Sequence, residues 1–198
     1  MDKTDGHFQL LWNFLKDIAS VPITEWLYAI RFFHKLTLQK GEHFFQAGDL
    51  ALKVGILTTG TAYVFYQMED GTRAVRRFFQ KGDRCGSYPA VLYGSPAPDT
   101  FEALENSTII WIYYKDLKSL FERHICWERL MRKTLENEIE EREVKEVELF
   151  TMSLDERYRN FCKRFPNLSK KIPQYLIASY LGVTPVALSR LRGKNAKN

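Results

Sequence analysis

Between Leu36 and Ile112 the chain is cut into short runs by glycine-bearing turn signals about ten residues apart. These are Lys40-Gly41, Ala47-Gly48-Asp49, Thr59-Gly60-Thr61, Asp70-Gly71, Lys81-Gly82-Asp83 and Tyr93-Gly94-Ser95. No helix of ordinary length survives that spacing, whereas short antiparallel strands need it, so the pattern predicts a sandwich or barrel. Asp70-Gly71, between β-rich runs at 63–67 and 73–79, predicts a hairpin with a type I′ turn, whose central residues take positive φ. Ser107-Thr108-Ile109-Ile110-Trp111-Ile112-Tyr113 is too apolar for a strand with one face in water and is expected at the centre of a sheet.

Helical periodicity flanks this region. Leu11, Phe14, Leu15 and Ile18 recur at three- and four-residue spacing. After Val21-Pro22-Ile23, Thr24 is placed to cap a second helix through Trp26, Leu27, Ile30 and Phe33. Beyond Lys115, Leu117, Leu120 and Phe121 make a short stripe. Residues 128–150 then run without Gly or Pro. Their apolar positions Met131, Leu135, Ile139, Val144 and Val147 form a narrow stripe beside seven glutamates between Glu136 and Glu148. A stripe this narrow on an acidic helix suits pairing with another helix, the same helix of a second copy being one candidate. A surface helix packed on its own domain is the other.

Ser153-Leu154-Asp155-Glu156 has the form of a capping box, opening a helix that Pro166 ends. Ile172-Pro173 opens another at Gln174, which Gly182 stops, and Thr184-Pro185 starts the last. A helix of about eight residues, a tight turn with glycine and a Thr-Pro start together predict a helix-turn-helix. An ordinary helical hairpin is the plainer alternative, and the charge decides between them. The chain has 29 Lys and Arg against 24 Asp and Glu, and residues 151–198 hold ten of the former and only two of the latter. That segment is +8, while the other 150 residues, with 19 basic and 22 acidic, are −3. A basic piece joined to an acidic one is the charge pattern of a nucleic-acid binder attached to something else. Thr184, Pro185, Val186, Ser189, Arg190 and Arg192 are then the candidates for a major groove, with Arg190 expected on guanine. Lys170, Lys171, Gln174 and Tyr175 are candidates for phosphates.

The order of these elements resembles the Crp/Fnr family of bacterial transcription regulators. Leu38-Gln39-Lys40-Gly41-Glu42-His43-Phe44-Phe45-Gln46-Ala47-Gly48-Asp49 is similar to the family's first β-roll signature, and Ile56–Val64 to its next step. Ile172–Tyr175 and Leu181–Arg190 resemble its DNA-reading end. The resemblance spans about residues 25–192. It implies an α+β fold in three parts. A cyclic-nucleotide-binding-like antiparallel β-roll of jelly-roll type, with N-terminal helices, would occupy 1–114. Connecting and dimerisation helices would occupy 115–150, and a small helix-turn-helix domain 151–198. It further implies a cytoplasmic homodimer that binds double-stranded DNA, with RNA polymerase as a further partner, and no enzyme activity. Met131, Leu135, Ile139, Val144 and Val147 would form the dimer seam.

Departures from the family pattern carry information too. Its cyclic-nucleotide binders use a Gly-Glu pair and, about ten residues later, an Arg on the phosphate. Here the pair is Gly86-Ser87, and Ser95–Thr100 contains Asp99 and no Arg. Neither cAMP nor cGMP is expected to bind in the usual mode, since an unpaired phosphate beside an acid is costly. An effector of unknown chemistry would meet Gly86, Ser87, Tyr88 and Arg76. Cys85, Cys126 and Cys162 are too scattered for an iron–sulfur cluster, and His34 and His43 read as structural rather than as haem ligands, so no cofactor or metal is expected. No run of residues is apolar enough for a membrane span, and the polar start 1–5 is no signal peptide. Two rivals stand: the same fold used for ligand or protein contacts without reading DNA, and a barrel enzyme, which would require a metal.

Overall fold

The computed structural model describes residues 6–195; the polar start and Lys197 lie outside them. The chain divides into two compact units, one of residues 1–64 and 78–137, the other of 65–77 and 138–198.

The first unit opens with α1 (Gly6–Ile18), α2 (Ile23–Ala29) and a 3-10 turn at Ile30–Phe32. The residue before α2 is Pro22, with extended backbone and no side-chain cap, so Thr24 lies inside the helix rather than capping it. Pro22 offers no side-chain acceptor to the first N–H groups of α2; its carbonyl accepts from Trp26 N at 3.0 Å as the first turn closes. Eight strands follow: β1 (His34–Leu38), β2 (His43–Phe45), β3 (Lys53–Thr59), β4 (Ala62–Gln67), β5 (Arg73–Phe79), β6 (Arg84–Gly86), β7 (Thr100–Ala103) and β8 (Ser107–Tyr113). A short helix, α3 (Tyr88–Tyr93), separates β6 from β7, and α4 (Tyr114–Arg123) follows β8. The strands form two four-stranded sheets, ordered β1-β8-β3-β6 and β2-β7-β4-β5. In the first, β8 pairs antiparallel with β1 (His34 opposite Trp111) and with β3 (Gly55 opposite Trp111).

Alternation along β8 explains its composition. Ile110 and Ile112 belong to a core with Phe8, Leu11, Leu15, Trp26, Leu120 and Trp127, which the helices place over one face of the sheet. Ile109 belongs to a second core, with Phe44, Phe45, Leu57, Phe79 and Phe101. A strand with a core on each face has no side left for water, so it reads as a continuous apolar run. Trp127 is fully buried, and its Nε1 donates to Glu25 Oε2 at 3.3 Å, the same oxygen that Arg123 Nε reaches at 3.1 Å. A buried acid on α2 is thereby satisfied by two donors, a link between segments about a hundred residues apart that sequence spacing does not reveal.

All six glycines of the predicted turns, Gly41, Gly48, Gly60, Gly71, Gly82 and Gly94, have positive φ. The hairpin at Asp70-Gly71 forms, with a different turn. Met68 N donates to Thr72 O at 2.9 Å and Gly71 N to Met68 O at 3.0 Å, while only Gly71, at φ +82°, is left-handed. That is a turn closed by a glycine bulge; type I′ would need Asp70 at positive φ as well. The Asp70 carboxylate instead accepts from Thr72 N at 2.9 Å, fixing the tip from outside.

Turn glycines differ in what surrounds them. At Gly60 (φ +87°) an added Cβ would also lie 2.7 Å from Asn106 O and run into Ser107, whereas at Gly48 (φ +92°) nothing lies within 4 Å. Gly48→Ala is expected to cost about 1–2 kcal/mol, the strain alone. Gly60→Ala, with strain and collision together, should exceed about 3 kcal/mol. Denaturant unfolding of the two variants checks this, and equal losses would contradict it.

Candidate nucleic-acid interface

The second unit is organised around the last part of α5 (Ile125–Thr151), followed by α6 (Leu154–Arg164), α7 (Leu168–Lys171), α8 (Gln174–Tyr180) and α9 (Pro185–Asn195). The capping box forms: Ser153 N donates to Glu156 Oε2 at 2.9 Å, and Glu156 N to Ser153 Oγ at 3.4 Å. The Ser153 hydroxyl, donating to Glu156 Oε2 at 2.7 Å, and then the Ser153 N–H hold the Glu156 carboxyl below its ordinary range. α7 lies between Pro166 and Pro173 and carries Lys170 and Lys171 in its last turn.

The helix-turn-helix packs as its sequence pattern demands. Leu176, Ile177, Ala178 and Leu188 are fully buried. Phe161, Phe165 and Tyr180 form an aromatic trio with ring centroids 5.4–6.2 Å apart. Gly182 turns the chain at φ +69°, and Thr184 Oγ1 accepts from Ala187 N at 3.2 Å to start α9.

Three of the segment's basic side chains are used internally. Arg157 Nη1 donates to Leu181 O at 2.6 Å, Arg159 pairs with Asp155 at 2.8 Å, and Arg164 with Glu148 at 3.2 Å. Lys170, Lys171 and Arg190 are exposed, and among the described residues they make no ion pair. Gln174, Thr184, Pro185 and Ser189 are exposed as well, with Tyr175 at 51% and Val186 at 60%. Arg192 is partly buried, near enough to Tyr158 to act on its hydroxyl. Internal pairing therefore sorts the +8 segment: the exposed cations without an ion pair among the described residues are Lys163 on α6, Lys170 and Lys171 on α7, and Arg190 and Lys194 on α9.

The hairpin tip 65–77 belongs to this unit through contacts that no local pattern foretells. Ser179 Oγ on α8 donates to Arg73 O at 2.6 Å and accepts from Val75 N at 2.8 Å. Lys145 Nζ reaches Arg76 O at 2.6 Å and Val75 O at 3.3 Å. Glu138, only 7% exposed, accepts from Arg77 at 2.6 Å, Arg142 at 3.0 Å and Arg76 at 3.2 Å. Arg76 and Arg77 are both committed to an acid on α5, since a buried carboxylate requires several donors.

The other candidates are distributed unevenly. Gly86 and Ser87 are buried, and Ser87 Oγ has no hydrogen-bond partner. Tyr88 instead lines a cavity beneath α1 and the start of α5. In the expected dimer stripe, Met131 is packed against the first unit's core, and Leu135 is partly buried. Ile139, Val144 and Val147 are exposed, at 60%, 41% and 52%, as is Phe150 at 81%. An α-helix turns 100° per residue, so a stripe spanning sixteen residues does not keep to one face. Glu138, Lys145 and Glu148 take the inward side of its last turns. Among the described residues no three His, Cys, Asp or Glu side chains are grouped to hold a metal, and no helix is long and apolar enough to cross a membrane.

Known proteins match this chain in sequence and in fold. The cyclic nucleotide-binding domain family matches residues 35–124. The fumarate and nitrate reduction regulatory protein of Vibrio cholerae is 27% identical over 178 residues, covering 83% of this chain and 69% of that protein. FixK2 from Bradyrhizobium japonicum superposes with a TM-score of 0.72 at 18% identity, over 83% of this chain and 85% of its own. The c-di-GMP responsive global regulator CLP of Xanthomonas campestris gives 0.67 at 16%, over 88% and 90%.

Lys145 supplies a pH test of the second unit. Burial first, and then the Arg76 and Arg164 charges, lower it from its ordinary 10.5 to about 7, against the pull of Glu148. A neutral amine still has the two hydrogens that the two carbonyls accept. Between pH 7 and 10.5 the unfolded chain holds a proton that the folded chain has released, so stability rises with pH across that window. Thermal unfolding from pH 6.5 to 9 should show the wild type gaining on Lys145→Met; parallel curves would contradict it.

Proposed function

We propose that this chain is a transcription regulator of the Crp/Fnr type that binds DNA as a homodimer through the exposed side of α7, α8 and α9. The observation that carries the reading is the sorting of charge. Arg157, Arg159 and Arg164 are satisfied inside the unit, while Lys170, Lys171 and Arg190 are left to solvent beside Gln174, Tyr175, Thr184 and Ser189. Cations without acids on a helix-turn-helix suit phosphates and base edges. Arg190 has the reach for guanine, and Val186 can meet a thymine methyl but cannot accept from cytosine. The exposed Ile139, Val147 and Phe150 on α5 suit a second copy of the same helix. Two such heads would read half-sites roughly one helical turn apart.

Effector binding inside the roll follows other chemistry than cyclic nucleotides. Phe44, Phe45, Phe79 and Phe101 fill the core between the sheets, and Asp99, 4% exposed, stands in the segment where a phosphate-binding Arg is absent. A phosphate there would face an acid in a desolvated setting. Calorimetric titration with cAMP is expected to show no binding; micromolar affinity would overturn this part of the reading.

The DNA claim is tested by selecting bound sequences from a random duplex pool and measuring affinity against salt. Affinity for random duplex should fall steeply with salt, and Arg190→Ala should cost about 1–3 kcal/mol at one base position. A flat salt response would favour a module of this fold that works through protein contacts. Equal loss on all sequences would make Arg190 a phosphate contact.

A further inference from the structure

The first unit contains a cavity of about 70 Å³ that neither the DNA reading nor the interior of the roll uses. It lies on the helix-covered face of the first sheet, among Leu11 and Leu15 of α1, Ile56 and Ile110 of the sheet, and Met131 of α5. Three polar side chains join these apolar walls: Arg84, Tyr88 and Thr134. Arg84 is opposite Ile56 in the β3–β6 pairing, so its side chain leaves the sheet on the same face as Ile56.

Arg84 is partly buried, and among the described residues its side chain makes no hydrogen bond or ion pair. Arg76 and Arg77, also partly buried, each have Glu138. The Arg84 guanidinium keeps contact with water and has no acid beside it, so an anion at this edge of the cavity would gain a charge-assisted hydrogen bond. The Thr134 side chain, on the α5 wall, likewise makes no hydrogen bond among the described residues and offers a second donor.

We infer that this cavity is a binding site for a short-chain aliphatic carboxylate, its chain against Leu11, Ile56 and Met131 and its carboxylate on Arg84 and Thr134. One cation and one hydroxyl suit a monoanion better than a phosphate dianion, for which the cavity has no second cation. The volume is about half that of a cavity that holds the six carbons of benzene, so it takes a chain of roughly three carbons beyond the carboxylate. The occupant would touch α5 at Met131 and Thr134, the helix whose later turns serve the second unit. The site stands independently of DNA binding.

Butanoate titrated into the full chain, followed by calorimetry and methyl NMR, tests the assignment. One-to-one saturable binding is expected, with shifts at Met131, Ile56 and Leu11. Butanol, of similar chain but uncharged, should bind at least tenfold more weakly to the unaltered protein. Arg84→Met should weaken butanoate by a similar factor, and Leu15→Phe, which fills the space, should abolish binding while circular dichroism stays unchanged. No saturable binding of propanoate, butanoate or pentanoate would overturn the site. Equal affinity for butanol, or tighter binding of propyl phosphate, would overturn the ligand class. Salt-dependent DNA affinity, measured separately, reports on the regulator reading alone.

Discussion

The first unit depends on a strand that has no face for water. β8 is flanked by β1 and β3, and its isoleucines alternate between the helix-covered core and the core between the sheets. Fully burying a side chain of this size stabilises by roughly 1.5–3 kcal/mol, so Ile109, Ile110 and Ile112 together are worth several kcal/mol against the entropy of ordering the strand. The same alternation on β3 sends Ile56 one way and Leu57 the other. Both cores thus share one sheet as a wall. The helix-covered side is also where packing is incomplete, and there Arg84 meets an apolar space rather than an acid.

In the second unit the organising interaction is electrostatic. Glu138 and Glu148 are nearly buried on α5, one gathering Arg76, Arg77 and Arg142, the other Arg164 and Asn160. Removing one partner from such a group leaves an uncompensated charge, which costs far more than a surface pair is worth. The acids of α5 therefore do two jobs: the buried ones hold the hairpin tip and α6, and the exposed ones stay solvated. Seven glutamates read as one acidic surface would hide that division.

Much of the fold was legible because its signals are local. Glycine at φ above zero, the Ser153–Glu156 capping box and the Gly182–Thr184 turn each act within four residues, and each forms at its expected position. The departures are also physical. The Asp70-Gly71 turn differs because the Asp70 side chain bonds to Thr72, and α2 begins before Thr24 because the Pro22 carbonyl already accepts from Trp26 N to close its first turn. Ser179 stayed hidden in the candidate site because a serine on a helix carries no pattern that names a partner over a hundred residues away.

By itself, the sequence determined a sandwich or barrel of short antiparallel strands, the central place of Ser107–Tyr113, the helix-turn-helix and the excess of positive charge at its end, since these follow from periodicity, turn chemistry and composition. Only the tertiary structure decided which charges remain available. Arg76 and Arg77 go to Glu138 and Arg164 to Glu148, whereas Lys170, Lys171 and Arg190 stay in water and Arg84 stays unpaired. The reason is distance along the chain: an ion pair between residues sixty positions apart depends on where a helix and a hairpin meet, and no local rule encodes that meeting.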